Sequence, residues 1–230
     1  MVHTSTTASA NADQSLGTLA VQIPGATALF RKLKLDFCCG GHQSLKEACA
    51  ARGISTSDVI ESLLALESTP ELPKILEAAE LIDYVLKRFH AVHRQQLPEL
   101  IRMARRVEAV HREHPMLAKG LADHLEKMQD ELLAHMEKEE QILFPMLKAG
   151  INPMLVHPIG MMRHEHINHG AQLEKLSNLT SNHQAPEGAC NTWMALYAGT
   201  ARLAEDLIEH IHTENNLLFP QFETLASSSH

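Results

Sequence analysis

An eleven-residue pattern occurs twice in the chain, as HMEKEEQILFP from His135 to Pro145 and as HIHTENNLLFP from His210 to Pro220. Five of the eleven aligned positions are identical, among them a His and a Glu four residues apart. Residues four apart on a helix share one face, about one turn from each other. Each copy therefore aims an imidazole and a carboxylate at the same place. A further His precedes each copy at nearly the same interval, His90 by 45 residues and His166 by 44. Two matched sets of His, His and Glu predict one metal pair held with pseudo-two-fold symmetry.

The chemistry follows from the donor types. Four imidazoles and two carboxylates without a thiolate suit iron or manganese, and zinc less specifically. If Glu139 and Glu214 both bridge, each metal receives two His and two carboxylate oxygens. An oxo or hydroxo bridge adds a fifth donor, and an octahedral ion keeps a position open for a small molecule. Read alone, a His and a Glu four apart are an exposed helix-stabilising pair worth about 0.2 to 0.5 kcal/mol. Such a pair has no reason to recur with Leu-Phe-Pro at the same offset and a His at matching distance upstream.

Other groups lie near the six. His93 and His169 each follow a proposed ligand by three residues, which places them behind the ligands or toward solvent rather than on the metal. Glu131 sits one turn before His135, and Glu165 adjoins His166. Either carboxylate is a candidate to hydrogen-bond a ligand or relay protons in catalysis, the alternative being a solvated helix carboxylate. His111, His114, His157 and His164 read as surface residues, and Met154, Met161 and Met162 as packing. Cys38 and Cys39, in a turn-like Cys-Cys-Gly-Gly run, are candidates for redox or transient metal-transfer work. The alternative is a helix-breaking turn with one thiol buried. Cys49 and Cys190 read as core residues.

The elements that must position these groups are helices. Hydrophobic residues make up 44% of the 230 and aromatics only 4%, with abundant Ala, Leu, Met, Glu and Lys, a helical composition. The fold class is all-α. A disordered tail is expected over 1–14, a small domain of short helices over 15–68, a linker over 69–74, a four-helix bundle over 75–222 and a second tail over 223–230. Within the bundle, apolar periodicity predicts helices over 75–96, continued by a segment that Pro98 begins or bends through Val110, then over 121–147, from near Asn152 to 179, and over 189–218. One ligand-bearing position falls on each rod.

A net charge of −8 leaves no basic stripe for nucleic acid. No apolar run spans a bilayer and the start carries no secretory signal, so a cytoplasmic protein with reduced thiols is expected.

The repeated pattern with Leu-Phe-Pro, the upstream His90 and His166, and the leading Cys-Cys-Gly-Gly module together resemble the repair-of-iron-centres family of bacterial di-iron proteins, whose bundle is hemerythrin-like. The resemblance runs from about Leu16 to Phe222. It implies two iron ions, oxo- or hydroxo-bridged, held by His90, His135, Glu139, His166, His210 and Glu214, with both glutamates bridging. It implies carboxylates at positions 131 and 165 that govern access. Oxygen-carrying hemerythrins use more histidine and a His and Asp pair with wider spacing, so oxygen carriage is not expected. The implied function is nitric oxide binding and repair of iron–sulfur proteins damaged by nitrosative or oxidative stress. A nitric oxide sink linked to denitrification and a nitric oxide reductase are the alternatives, and whether the protein is an enzyme stays open. The cysteine module is left as a docking surface or a homodimer contact.

Overall fold

The computed structural model describes residues 10–67, 76–150 and 153–223. The expected linker over 69–74, residues 1–9 of the first expected tail and residues 224–230 of the second lie outside these residues. The chain divides into two compact units, Met1–Leu76 and Glu77–His230.

In the first unit, two serines start helices with their side chains. Ser15 accepts from the Thr18 N–H to open α1 (Leu16–Gln22), and Ser44 forms a reciprocal capping box with Glu47 to open α3 (Leu45–Arg52). Between them α2 (Ala26–Lys32) follows Gly25, whose φ of +87° suits glycine. The helix α4 (Thr56–Glu67) completes the unit. Leu16, Leu19, Phe30, Phe37, Leu45, Cys49, Val59 and Leu63 are buried as its core. Residues 10–14 of the tail expected over 1–14 are described. The Gln14 and Ala12 carbonyls accept from the Leu45 and Lys46 N–H groups at 2.9 Å each, tying the segment to the start of α3. Ser44→Ala is expected to lower stability by about 1 kcal/mol, read as an earlier urea midpoint for the loss of helical circular dichroism. An unchanged midpoint would contradict the role of this cap.

The second unit is a ring of four rods. The first comprises α5 (Ala78–Val85), a π-helical turn at Leu86–His90, and α6 (Ala91–Val110). The second comprises α7 (Leu121–Lys138), a π turn at Glu139–Leu143, and α8 (Phe144–Lys148). The third is α9 (Val156–Leu179), and the fourth runs through α10 (Asn191–His212), a π turn at Thr213–Leu218 and the short α11 (Pro220–Glu223). The helices α6 and α9 each pack against both α7 and α10, closing a four-helix bundle. Leu97, Leu100 and Ala104, Leu125 and Leu132, Leu173 and Leu176, and Leu196, Leu203 and Leu207 fill its interior. The described residues form no strand, only a single antiparallel bridge between Ser15 and Ser44. No described helix is long and apolar enough to cross a membrane.

Of the alternatives for Pro98, beginning a separate segment is excluded, and Pro145 acts earlier than expected. Pro98 neither starts nor ends a helix but lies inside α6. It is exposed, so the carbonyl deprived of its N–H can face water. Pro145 distorts its rod earlier than expected, from Glu139 onward. A proline ring collides with the carbonyl four residues before it in a regular α-turn, and the wider π turn immediately upstream relieves that clash. Pro220 has the same relation to the turn at Thr213–Leu218, where the Phe219 N–H reaches back to the Glu214 carbonyl at 2.8 Å.

Candidate metal centre

Three of the four rods carry a π turn, and each such turn contains or adjoins a residue of the repeated pattern. His90 ends the first, Glu139 begins the second, and Glu214 lies in the third. Single π turns inside α-helices are frequent at functional sites. Because the rods alternate in direction, His90 and His166 on the first and third meet His135, Glu139, His210 and Glu214 on the second and fourth.

All six side chains are buried, each at most 1% exposed. Their donor atoms fall into two groups, His90, Glu139, His210 and Glu214, and His135, Glu139, His166 and Glu214, with all atoms of a group within 4.8 Å of one another. Both glutamates belong to both groups. Glu139 lies 3.4 Å from His90 Nε2 and 3.3 Å from His135 Nε2, and Glu214 lies 3.1 Å from His166 Nε2 and 3.3 Å from His210 Nε2. These approaches allow charge interaction without hydrogen-bond alignment. All four carboxylate oxygens are buried without a hydrogen-bond partner. Buried carboxylates left so are costly unless a cation is held between them. Imidazole nitrogen and carboxylate oxygen fit a transition metal such as iron.

The electrostatics of the protein alone are consistent with that use. Burial opposes a charge on His135, but Glu139, Glu165 and Glu214 outweigh it and raise its pKa to about 10. His90 is raised for the same reason, burial being outweighed by Glu139, Glu214 and Glu140. Burial and the neighbouring Glu214 push Glu139 upward, yet His135 and His90 prevail and hold it at about 2. Protons on the imidazoles thus balance the carboxylates until a cation replaces them.

A second set of residues orients the first. His90 Nδ1 donates to Glu140 Oε1 at 2.7 Å, and His166 Nδ1 to Asn215 Oδ1 at 2.9 Å. Glu140 and Asn215 occupy the same place in the repeat, directly after Glu139 and Glu214, a role that sequence reading missed although the alignment of the two copies exposes it. Fixing Nδ1 in this way turns Nε2 inward as a lone-pair donor. His135 Nδ1 donates to Glu165 Oε2 at 2.9 Å, and Lys138 also holds that carboxylate. Glu165 is therefore not a merely solvated side chain. Glu131 reaches no imidazole of the six; it pairs with Gln172 at 3.0 Å and Lys127 at 3.5 Å. The phenylalanine of each Leu-Phe-Pro has a partner too, Phe144 stacking on His90 at 5.8 Å and Phe219 on His166 at 6.1 Å.

The flanking histidines are buried rather than turned to solvent. His93 packs 5.4 Å from His210 and His169 4.9 Å from His135. Burial keeps both neutral, lowering their pKa values to about 4 and about 3. His157 and His164 are exposed as expected, whereas His111 and His114 are half-buried and pack on the Trp193 ring at 5.0 and 5.1 Å.

Within the first unit, Asp36, Cys38 and Cys39 form a smaller cluster. The Cys38 and Cys39 sulfurs lie 3.7 Å apart, and Asp36 Oδ1 accepts from the Cys39 N–H at 2.9 Å. A Cβ on Gly40 would stand 3.1 Å from Asp36, a tight approach in this turn. Cys38 is buried and Cys39 half-exposed. The contact with Cys39, burial and Asp36 all push the Cys38 thiol up. Cys49 is buried as expected, but Cys190 is exposed. It precedes α10 instead of packing beneath it, with its sulfur 3.2 Å from His111 Nε2. An alkylating reagent should label Cys190 and Cys39 well before Cys38 and Cys49, read by peptide mass spectrometry. Equal labelling of Cys38 would contradict its burial.

Comparison with known proteins matches this architecture. Residues 81–222 match the hemerythrin HHE cation binding domain, and residues 12–67 match a domain of unknown function, DUF542. The chain is 49% identical over 212 residues to the iron-sulfur cluster repair protein YtfE of Musicola paradisiaca, covering 91% of this chain and 96% of that one. The same-named proteins of Dickeya chrysanthemi and Yersinia pestis are 49% and 47% identical, with the same coverage. A bundle that gathers four histidines and two glutamates, matched over most of the second unit by that family, makes this chain a member of the hemerythrin HHE cation-binding family.

Proposed function

We propose that the protein is a cytoplasmic iron–sulfur cluster repair protein that holds two iron ions. His90 and His210 would hold one, His135 and His166 the other, and Glu139 and Glu214 would be shared. The observation that carries this reading is the membership of both glutamates in both donor groups, with four buried oxygens awaiting a partner. Bound iron would supply open coordination positions for nitric oxide and an ion that can be passed to a damaged cluster. The names of the relatives support repair as the purpose.

The chain's own part is to hold, orient and discharge. Glu140, Glu165 and Asn215 fix the imidazoles, and His135 must surrender its proton before a metal can bind. Since its pKa is about 10, it is protonated at pH 7. Loading should release protons and weaken as the pH falls. Calorimetric iron titrations in buffers of differing ionisation enthalpy should give heats that vary with the buffer, with net proton release at pH 7. Buffer-independent heats would contradict it.

Repair is tested directly with an iron–sulfur dehydratase inactivated by nitric oxide. Iron-loaded protein should restore activity, while the His135→Ala variant should not. Equal recovery by both would show that the centre is not the source of repair.

A further inference from the structure

At the end of the bundle remote from the metal centre, Cys190 and His111 meet between the first and fourth rods. Cys190 stands 20 residues before His210, about 30 Å along the helix axis. Its thiol is exposed and within hydrogen-bond reach of His111 Nε2 at 3.2 Å. His111 ends α6, and its ring is held against Trp193 at 5.0 Å, with His114 on the same indole at 5.1 Å. Trp193 Nε1 is buried without a hydrogen-bond partner, which leaves this cluster one unmet donor.

Two further features adjoin the thiol. Cys190 is the N-cap of the 22-residue α10, and its side chain makes no cap hydrogen bond. The first N–H groups of the helix and the positive end of its dipole are therefore left to favour negative charge there. Directly after Cys190, Asn191 and Thr192 line a cleft of about 410 Å³ shared with Glu99, Arg102 and Arg106 of α6. Glu99 engages Arg102, whereas Arg106 is exposed and pairs with no carboxylate among the described residues. Its neighbour Arg105 is tied to Asp123 and Glu126 at 2.7 Å each. On a chain of net charge −8, an unpaired cation in a cleft beside an exposed thiol selects an anionic reagent.

We propose that Cys190 is a reversible modification site that takes up an anionic low-molecular-weight thiol as a mixed disulfide, with His111 receiving the thiol proton and Arg106 drawing in the carboxylates of the incoming disulfide. In the forward step the Cys190 S–H bond breaks as His111 Nε2 takes the proton, and the sulfur attacks one sulfur of the small disulfide. The S–S bond of that disulfide breaks, and the departing thiolate recovers the proton from His111. One protein thiol and one small disulfide thus give one mixed disulfide and one small thiol, with no other oxidant. Excess small thiol runs the exchange backward. The site uses none of the metal-centre residues, so it stands apart from the two-iron reading. Small disulfides accumulate when the thiol pool is oxidised, and the site would register the condition in which iron–sulfur clusters are damaged.

The test treats the reduced protein with glutathione disulfide, which is anionic, and with cystamine, which is cationic, and follows each cysteine by peptide mass spectrometry. Glutathione disulfide should modify Cys190 first, about tenfold faster in the folded protein than at the same residue in urea, where His111 and the helix are gone. His111→Phe keeps a ring against Trp193 but has no proton acceptor; it should slow Cys190 by about tenfold with both reagents and leave Cys39 unchanged. Arg106→Ala, at an exposed position, should slow the reaction with glutathione disulfide alone. A rate in the folded protein no greater than that in urea would overturn the proposal, as would an unchanged rate in His111→Phe. Equal effects of Arg106→Ala on both reagents would overturn the choice of an anionic partner.

Discussion

On the proposed two-iron reading, Glu139→Ala is expected to remove both metals at once. The residue is fully buried and stands in both donor groups, 3.3–3.4 Å from a histidine of each. Its loss takes a carboxylate oxygen from each position, and with it the charge that balances His90 and His135. Metal analysis should show bound iron falling from two per chain to near zero, with the helical content kept. His210→Ala offers the contrast, since it touches one group only and should weaken one position ahead of the other. If Glu139→Ala retained one full equivalent, the glutamate would not be shared.

The second large effect concerns the phenylalanines that the repeat preserves. Phe219 is fully buried, lies within 2° of parallel to His166, and carries the Arg163 guanidinium 5.5 Å above its ring. Arg163 in turn donates to the Asn215 carbonyl, whose side chain orients His166. Phe219→Ala should cost about 3–5 kcal/mol, a large share of the roughly 5–15 kcal/mol by which a domain is stable. Phe144→Ala, beneath His90, should behave alike. Denaturant unfolding of the metal-free proteins measures both. Losses under 1 kcal/mol would mean that these rings are not the packing base of the site.

The convergence of the six side chains was legible because it depends on spacing. A four-residue interval within each copy, and matched intervals to an upstream histidine, place six donors on four rods without knowledge of their packing. The helical class and the small domain of short helices were readable from composition and periodicity. What escaped depends on geometry across rods. The π turns are such a case, although for two of the three the Phe-Pro at the end of each copy was a local signal. Glu140 and Asn215 looked like a charge and an amide following a ligand, and only the neighbouring rod shows that each grips a histidine. Glu165 had no mark separating it from a solvated carboxylate until His135 appeared 2.9 Å away. Glu131 illustrates the opposite limit: sharing a face with His135 did not give it contact, because Gln172 and Lys127 claim it first. Cys190 looked apolar enough for a core but sits at a helix start, where the chain emerges.

The most direct measurement is anomalous diffraction at the iron edge from iron-loaded crystals. Two peaks per chain are expected, one among His90, His210 and both glutamates, the other among His135, His166 and the same glutamates. A single peak, or peaks away from these six side chains in crystals confirmed to contain iron, would contradict the account.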